Sequence, residues 1–368
     1  MQKRLESLDA FRGITIAGMI LVNNPGSWGH VYAPLRHAAW HGWTPTDLIF
    51  PFFLFIVGVA ITLAQKKQLA LHDRKYVYLK ILKRTLILFG LGLFLNAFPF
   101  FELSGLRIPG VLQRIAVVYG ITALITMNTH LRTQVWITGA VLLAYWALMK
   151  LIPVPGHGAG QLTPEGNLAA FIDNLLLHGH LWAQSKTWDP EGLLSTIPAV
   201  ATALTGVLTG HWLNSGKEKN EIAGGMFVVG WIGIVTGMFW HIIFPINKSL
   251  WTSSYVVFTS GAALQFLGFC YWLIDVKGIR RWAYPAIMYG MNAIAVFVLA
   301  GVLARSMNII KWAGEGGNSV ALKNWIFSNL FMPWTSPVNA SLAFAIVNVL
   351  FFLLIAGIMF RKRIFIKI

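Results

Sequence analysis

Charged side chains are scarce in this sequence. Only 11% of the 368 residues are Asp, Glu, Lys or Arg, whereas in a soluble domain about a quarter are charged. Hydrophobic residues make up 56% of the chain, so it cannot cover a globular surface with groups that water solvates. This shortage excludes an ordinary soluble protein and predicts an all-α protein that crosses a lipid bilayer several times.

Cysteine and acidic residues are also rare. A single cysteine, Cys270, excludes an internal disulfide and argues against a cysteine-based metal site. The 13 acidic residues stand against 29 basic ones, which gives a formal charge of +16. The basic residues form short clusters between apolar runs, as the positive-inside rule of membrane proteins produces. We therefore expect this charge to face a lipid bilayer, and we expect no nucleic-acid partner.

Hydropathy predicts a transmembrane helical bundle of about ten spans. The candidates are residues 11–26, 46–64, 82–100, 110–127, 134–152, 193–213, 223–244, 252–274, 284–304 and 339–360. When the connections are assigned alternately to the two sides, nineteen of the 29 basic residues fall on one side and seven on the other. The richer side includes Lys3-Arg4 near the start and Lys367 near the end. This asymmetry predicts that both termini are cytoplasmic.

Two long loops fall on the predicted outer side, over residues 153–190 and 305–337. The apolar spacing in residues 167–178 predicts an amphipathic helix that lies in the membrane interface. Residues 320–331 are too short for a further span, and an eleventh span would place the basic C-terminal tail outside. We therefore expect a second interfacial helix there.

Two motifs of small residues, Gly206–Gly210 and Gly233–Gly237, lie within predicted spans. Small residues at this spacing let neighbouring helices approach closely. They predict tight packing, and they permit a homodimer without requiring one.

The loop between the first two spans, from Arg36 to Asp47, concentrates histidine and tryptophan at a membrane surface. The imidazole of His37 is suited to proton transfer near neutral pH, as a general base or an acyl acceptor, and Asp47 would orient or charge it. The simpler alternative is an interfacial histidine that contacts lipid headgroups. Zinc held by His30, His37 and His41 is a further alternative. Because glycine and proline break the helix that this spacing requires, we expect no metal.

Further polar groups fall on the same predicted side. Asn23 and Asn24 end the first span, where they either cap the helix or face His37. Asp189 and Glu191 precede the sixth span, and acids at a helix start are stabilised by the helix dipole. Capping does not account for both carboxylates, so a role in binding remains the second interpretation.

Several cations lie in or next to the spans without an acidic partner on the same helix. Lys248 is the lone charge in the connection between the seventh and eighth spans, Arg84 is near the inner end of the third span, and Arg114 is inside the fourth. An intramembrane arginine needs an anion, which a phosphorylated ligand would supply. A structural partner such as Glu102 or Asp189 is the alternative.

Three other polar features remain open from the residues alone. Asp9 and Arg12 are three residues apart and can pair along one helix face, either for structure or beside a ligand. Gln113 and Asn292 are amides inside predicted spans. Neither has a purpose that spacing alone reveals.

Taken in order, these segments resemble the heparan-α-glucosaminide N-acetyltransferase family and its bacterial relatives. The stretches that carry the resemblance are residues 4–13 (RLESLDAFRG), 22–23 (VN), 37–52 (HAAWHGWTPTDLIFPF), 107–114 (RIPGVLQR), 189–196 (DPEGLLST), 245–251 (PINKSLW) and 290–292 (GMN). The resemblance implies one transmembrane acyltransferase domain over residues 1–368, in a plasma membrane, here the bacterial inner membrane. It also implies transfer of an acetyl group from cytosolic acetyl-CoA to the amine of a glucosamine-type sugar at the outer face.

The resemblance also implies roles for individual residues. The active-site histidine of the family falls on His37 and its supporting asparagine on Asn23, with Asp47 beside them. We expect the acetyl-CoA to contact Arg12, Lys83, Arg84, Gln113, Arg114 and Asn292. We expect the acceptor sugar to contact Asn24, Trp40, Asp189, Glu191, Lys248 and Trp251. Direct transfer and a ping-pong route through acetylated His37 both remain open, and an amino-sugar permease without chemistry is the rival function.

Overall fold

The computed structural model describes residues 5–313 and 319–366, so Lys3, Arg4 and Lys367 lie outside the described residues. Within this range the chain forms thirteen α-helices. They are α1 (Glu6–Asn23), α2 (Ile49–Leu69), α3 (Arg74–Ala97), α4 (Val111–Asn128), α5 (Leu131–Leu151), α6 (Leu168–Leu177), α7 (Leu193–Leu213), α8 (Lys219–His241), α9 (Ser253–Tyr271), α10 (Tyr284–Met291), α11 (Ala293–Ile309), α12 (Leu322–Ile326) and α13 (Pro337–Arg361).

Two short antiparallel hairpins qualify the all-α prediction. Strand β1 (Pro153–Val154) pairs with β2 (Gly158–Ala159), and β3 (Lys311–Ala313) pairs with β4 (Ser319–Ala321). Both hairpins lie in the two long loops that the sequence assigns to the outer side. The spanning part of the chain is helical, as hydropathy predicts.

Seven of the described helices are long and apolar enough to cross a membrane. They are α2 with the turn before it, α4, α5, α7, α8, α9 with its extension to Val276, and α13. Helices α10 and α11 would form an eighth span if counted together. The predicted spans 11–26 and 82–100 are helical too, but α1 and the apolar part of α3 each carry three charged residues within eighteen residues. The finding is therefore a helical membrane protein, with fewer clear spans than the ten predicted.

The predicted span 284–304 is not continuous, because the chain bends by 71° between α10 and α11. Asn292 lies at the break, where a helix end leaves backbone groups without helical partners. Its side-chain amide donates to the carbonyl of Ile364 and its oxygen accepts from the N–H of Ile366, both at 3.0 Å. The buried amide thus ties the C-terminal tail to the break.

Helices α2 and α7 approach each other so closely that both need glycine at the contact. A Cβ on Gly58 would lie 1.8 Å from the carbonyl oxygen of Ala203, and one on Gly206 would lie 2.0 Å from that of Phe55. This is the close packing that the small-residue motif at Gly206–Gly210 predicts. The packed pair fixes the start of α2 next to the start of α7, where the polar residues of the candidate site lie.

The first expected interfacial helix is present as α6, inside the predicted range of 167–178. The side chain of Asn167 caps it by accepting from the N–H of Ala170 at 2.8 Å. Asp173 on α6 accepts from the N–H of Leu193 at 2.8 Å, so α6 is fastened to the start of α7. In the second loop, β4, α12 and a wider helical turn over Phe327–Phe331 occupy the range predicted as one helix.

Candidate active site

The polar loop before α2 ends in a 3-10 turn at Pro45–Leu48 that fixes the carboxylate of Asp47. Pro45 presets the backbone at the first position of the turn. Thr44, just before the turn, donates its N–H to Oδ2 of Asp47 at 3.0 Å, and its hydroxyl lies 3.1 Å from the same oxygen. The N–H of Ala38 adds another bond to Oδ2 at 3.0 Å. The side chain of Asp47 is 1% exposed, so its charge is buried but well satisfied.

His37 completes this arrangement. Its Nδ1 lies 2.6 Å from Oδ1 of Asp47, while 47% of the imidazole side chain is exposed. A buried carboxylate accepts, so Nδ1 carries the proton that bridges the two groups, and the lone pair of Nε2 is left for another partner. The structure thus brings together the two residues that the sequence analysis paired across ten positions.

Lys248 is the third member of the group. Its Nζ lies 3.2 Å from each ring nitrogen of His37, and with Nδ1 engaged by Asp47 it donates to Nε2. Desolvation lowers the pKa of Lys248, against the charges of Glu191 and Asp47, which raise it. The ammonium is therefore held next to the imidazole in a partly buried position.

The turn that carries Lys248 is built around Asn247, a residue that the sequence analysis did not single out. Asn247 is fully buried; its Oδ1 accepts from the N–H of Leu250 at 2.9 Å, and its own N–H donates to Oγ1 of Thr252 at 3.0 Å. Its amide also contacts Nδ1 of His41 at 3.4 Å. The sequence did offer a signal for this role. Asn247 lies inside the motif of residues 245–251, and a buried asparagine in a turn usually forms hydrogen bonds to the backbone of that turn.

Asp189 and Glu191 are both paired with Arg107. The guanidinium binds Asp189 through two bonds, from Nε to Oδ2 at 2.8 Å and from Nη2 to Oδ1 at 2.6 Å, and Nη2 also lies 2.6 Å from Oε2 of Glu191. Burial raises the pKa of Asp189, although Arg107 acts in the opposite direction. Arg107 was part of a resembling stretch but was not predicted as a site residue, because its partners lie 82 and 84 positions away.

Trp40 lies beside this ion cluster. Its indole N–H donates to the carbonyl of Leu162 at 2.7 Å, and its ring packs edge-on against Trp188 at 5.1 Å between centroids. Trp40 therefore joins the long loop of residues 153–190 to the loop that carries His37.

Arg114 is buried below the ion cluster rather than paired with an acid. Nη2 donates to the carbonyl of Gly192 at 3.1 Å and to Oγ of Ser195 at 2.5 Å. The guanidinium stands over the ring of Trp251 at 5.1 Å. Its Nε and Nη1 have no hydrogen-bond partner within residues 5–313 and 319–366, which is unusual for a side chain that is 2% exposed.

Three aromatic rings form what we call the aromatic layer: Phe50, Trp251 and Tyr255. Trp251 contacts Phe50 at 5.0 Å and Tyr255 at 5.3 Å between ring centroids, and the hydroxyl of Tyr255 donates to the backbone carbonyl of Asp47 at 2.5 Å. Trp251 is fully buried and has a positive φ of 52°, a backbone conformation that is strained for a bulky residue. Through the bond from Tyr255, the layer contacts the backbone of Asp47.

A cavity of about 730 Å³, which we call the basic cavity, lies further along α2, where Phe53 is the first and Gln68 the last residue of this helix that lines it. It is lined by Arg12, Lys80, Lys83 and Arg84 together with apolar side chains such as Phe53 and Ile115. Phe53 follows Asp47 by six residues, so the helical rise separates the two by roughly 9 Å along the helix axis. Among the lining residues that the structure describes, none is acidic.

Three of the six predicted cofactor ligands line the basic cavity: Arg12, Lys83 and Arg84. Arg84 stands over the ring of Tyr119 at 4.6 Å, and Arg12 contacts Asp9 at 3.1 Å and the carbonyl of Gly290 at 3.3 Å.

The other three predicted cofactor ligands do not line this cavity. Arg114 lies at the aromatic layer, and Asn292 holds the C-terminal tail, although Met291 and Ala293 on either side of it are lining residues. Gln113 lines a second cavity, which is described next.

A second, smaller cavity of about 230 Å³ lies between α1, α3, α4 and α11. We call it the amide cavity, because four amide residues line it: Asn23, Asn24, Asn96 and Gln113. Asn23 is exposed at the end of α1, whereas Asn24 is buried and donates to the carbonyl of Ile20 at 2.8 Å. His37 lines neither cavity.

The amino-acid sequence is similar to that of one family of known proteins. The family model "Heparan-alpha-glucosaminide N-acetyltransferase, catalytic" matches residues 4–242. The human and mouse proteins named heparan-alpha-glucosaminide N-acetyltransferase are each 31% identical to the chain, over alignments of 428 and 422 positions respectively. Each alignment covers 99% of this chain and 60% of the relative, so the chain spans about 60% of the length of the relatives that it matches. The resemblance read from the sequence is thereby confirmed, and the chain belongs to the heparan-alpha-glucosaminide N-acetyltransferase catalytic family.

Proposed function

We propose that this protein is a membrane acetyltransferase that moves the acetyl group of acetyl-CoA to the amine of an amino sugar. The observation that carries the proposal is the His37–Asp47 pair, a half-exposed imidazole hydrogen-bonded at 2.6 Å to a buried carboxylate. Family membership supports the same chemistry. An imidazole held in this way has one nitrogen available for proton or acyl transfer, and the carboxylate stabilises the positive charge that develops on it.

The chemical step uses Nε2 of His37. In direct transfer, Nε2 takes a proton from the sugar amine as the amine attacks the thioester carbonyl carbon, the C–S bond breaks, and coenzyme A leaves as a thiolate. In the ping-pong route, Nε2 itself attacks the thioester carbonyl carbon, the C–S bond breaks, and coenzyme A leaves as a thiolate. The sugar amine then attacks the acetyl carbon, the bond from that carbon to Nε2 breaks, and Nε2 takes the proton that the amine loses. Lys248 donates to Nε2 in the absence of substrate, and the reacting amine would take its place. Either route is compatible with this geometry.

The basic cavity is the proposed donor site. Coenzyme A is a polyanion with a long uncharged arm, and the cavity combines Arg12, Lys80, Lys83 and Arg84 with an apolar interior. Charge-assisted bonds to phosphate are among the strongest that proteins make. Its volume of about 730 Å³ falls in the range of about 300–1,000 Å³ that is usual for small-molecule sites.

The thioester would have to pass the aromatic layer to reach His37. The first lining residue on α2 is Phe53, roughly 9 Å from Asp47 along the helix axis, and Phe50, whose ring contacts Trp251, lies between Asp47 and Phe53 in the chain. We propose that the thioester arm displaces the Trp251 ring and that the two unpartnered nitrogens of Arg114 then bind the arm. This accounts for the strained backbone of Trp251 and for the unsatisfied arginine with one movement.

Sidedness follows from the positive-inside pattern. If α1 and α3 cross the membrane along with the seven clear spans and the bent pair α10–α11, the count is ten and both termini share one side. That side carries the basic clusters at the ends of α2 and α13, which supports its assignment to the cytoplasm, and in this proposal the basic cavity opens to it. His37 then faces outward, with the acceptor sugar. A homodimer stays a prediction from the small-residue motifs.

The rival function is an amino-sugar permease, and the 71° break between α10 and α11 is the observation that favours it, since broken helices often line transport sites. The charge of the cavity argues against this rival. An amino sugar is a cation at neutral pH. Arg12 is paired with Asp9, but the other three cations that line the cavity, Lys80, Lys83 and Arg84, form no ion pair among the described residues and repel an amino sugar. The same charges attract coenzyme A.

The test is acetyl transfer by the purified protein in detergent. Given radiolabelled acetyl-CoA and glucosamine, the protein should form N-acetylglucosamine, and His37→Ala should abolish the reaction. His30→Ala, a change in an exposed histidine of the same loop, is the matched control and should keep full activity. Normal transfer by His37→Ala would remove His37 from the mechanism, and uptake of unmodified sugar into vesicles would support the permease.

A further inference from the structure

The amide cavity has a chemistry of its own. Its polar lining consists of the four amides and two arginines, Arg107 and Arg305, and no carboxylate lines it among the described residues. Nε2 of Gln113 is buried without a hydrogen-bond partner in the described part of the chain, and the residue is 4% exposed. A buried amide that lacks a partner costs free energy, and an acceptor atom of a ligand in this cavity would remove that cost.

Arg305 supplies an available positive charge. Its Nη1 donates to the carbonyl of Gly301 at 3.1 Å, and within the described residues it has no carboxylate partner. Arg107, by contrast, is neutralised by Asp189 and Glu191. The cavity therefore presents one arginine that an anion can still bind.

Charged groups connect the amide cavity to His37. Arg107 carries one positive charge against the two carboxylates of Asp189 and Glu191, and both carboxylates also act electrostatically on Arg114. Glu191 and Asp47 both act electrostatically on Lys248, which contacts His37. Glu191 thus links Arg107, which lines the amide cavity, to Lys248 and His37, and its carboxylate attracts the ammonium of an amino sugar, whereas Arg305 lies on the cavity side.

Size limits the ligand. About 230 Å³ is less than the roughly 300–1,000 Å³ of typical ligand sites and suits one sugar ring rather than an oligosaccharide. Amide groups donate to and accept from hydroxyl groups, and Phe297 on α11 offers an apolar wall.

We propose that the amide cavity binds one ring of the acceptor sugar, that Gln113 bonds a ring hydroxyl, and that Arg305 pairs with an acidic substituent on that ring. The amine then projects past Glu191 towards His37. This inference rests on the proposed function, since it assigns the acceptor subsite of the same enzyme. It makes Arg305 a residue that selects acidic amino sugars over neutral ones.

The experiment is equilibrium binding in detergent, without acetyl-CoA, by calorimetry. The ligands are glucosamine 6-phosphate, glucosamine and inorganic phosphate. We expect glucosamine 6-phosphate to bind at least tenfold more tightly than either of the others. Arg305→Gln should lose at least tenfold in that affinity, Arg305→Lys should lose less, and Lys311→Gln, a matched change of an exposed cation on the same side, should bind like the wild type.

Three results would overturn the inference: no binding of the sugar phosphate, equal affinity for inorganic phosphate, or unchanged affinity in a folded Arg305 variant. Gln113→Leu gives a second test, because it removes the hydroxyl contact and should weaken glucosamine 6-phosphate but not inorganic phosphate. If binding follows the expected pattern and no acetyl transfer occurs, the proposed function alone fails. If transfer occurs and the sugar phosphate has no preference, this inference alone fails.

Discussion

Two regions of the molecule differ in how their charged groups are paired. One is the loop that carries His37, and the other is the basic cavity. Asp47 accepts from His37, Ala38 and Thr44, all fixed by the local fold. In the basic cavity, by contrast, Lys80 and Lys83 are exposed and form no ion pair among the described residues. The first region is complete without a ligand, whereas the second has a surplus of positive charge.

This difference indicates a division of labour. A reaction site must hold its groups in one geometry before substrate arrives, because orientation provides much of the rate. A site for a mobile polyanion needs charge and space, and it can let the ligand order flexible lysines. Substitutions in the two regions should therefore fail in different ways.

The largest effect is expected from Asp47→Asn. The change keeps the shape but removes the negative charge that holds the Nδ1 proton of His37 and stabilises the imidazolium. We expect the turnover number to fall by about 10²–10⁴-fold, with little change in acetyl-CoA affinity. Steady-state kinetics with both substrates varied checks this, and a purely donor-side defect would contradict it.

Arg107→Gln should act on stability. Removing one partner of a buried ion cluster leaves two carboxylates, Asp189 and Glu191, without their counter-charge, which costs about 3–5 kcal/mol. Thermal unfolding in detergent measures this loss. Lys83→Gln is the comparison, because an exposed lysine without an ion pair should leave the unfolding midpoint where it was. Equal unfolding midpoints for both variants would show that the ion cluster of Arg107, Asp189 and Glu191 does not stabilise the folded protein.

Lys83→Gln and Arg84→Gln should weaken the donor. Each removes a charge-assisted contact to phosphate, and we expect the KM for acetyl-CoA to rise by about 10-fold or more for Arg84, whose burial strengthens the contact. The KM for glucosamine should stay constant. Lys75→Gln, on the same helix but outside the cavity, is the matched control. An equal rise in the KM for acetyl-CoA in that variant would show that net charge, and not a contact in the cavity, sets the affinity.

The smallest effect concerns pH and Asp173. Burial raises the pKa of this carboxyl to about 6 from an ordinary value of 3.8. An acid whose pKa is raised on folding binds its proton more tightly when folded, so the protein loses stability as the pH rises from about 4 to 6. Asp173→Asn should remove this dependence and raise the unfolding midpoint at pH 7, by a free energy of about 1–2 kcal/mol. A pH series of melting curves tests it, and a lower midpoint for Asp173→Asn at pH 7 would contradict it.

Much of the fold was readable because hydropathy is local. Nine of the ten predicted spans each overlap one long helix, and the tenth, 284–304, overlaps the bent pair α10 and α11. The apolar spacing of residues 167–178 predicted α6 closely. The break at Asn292 was missed, since a run of apolar residues gives no sign that the C-terminal tail bonds to an amide within it. The two hairpins escaped for a related reason, because strands of two or three residues leave no periodic pattern.

The candidate site was readable where its parts are near in sequence. His37 and Asp47 lie in one loop, and the structure brings them into contact. The ion cluster could not be predicted from the sequence, because α4, α5 and α6 separate Arg107 from Asp189 in the chain. Gln113 and Arg114 show a further limit: as neighbours on one helix they point about 100° apart, so one lines the amide cavity and the other lies at the aromatic layer.

The most direct test of the central claim is transfer across a bilayer. The protein would be reconstituted in sealed vesicles with glucosamine only inside and radiolabelled acetyl-CoA only outside, neither of which crosses lipid unaided. If the thioester arm passes from the basic cavity through the aromatic layer to His37, labelled N-acetylglucosamine accumulates inside, and none forms with His37→Ala. Product that forms only when both substrates share one compartment would contradict the account.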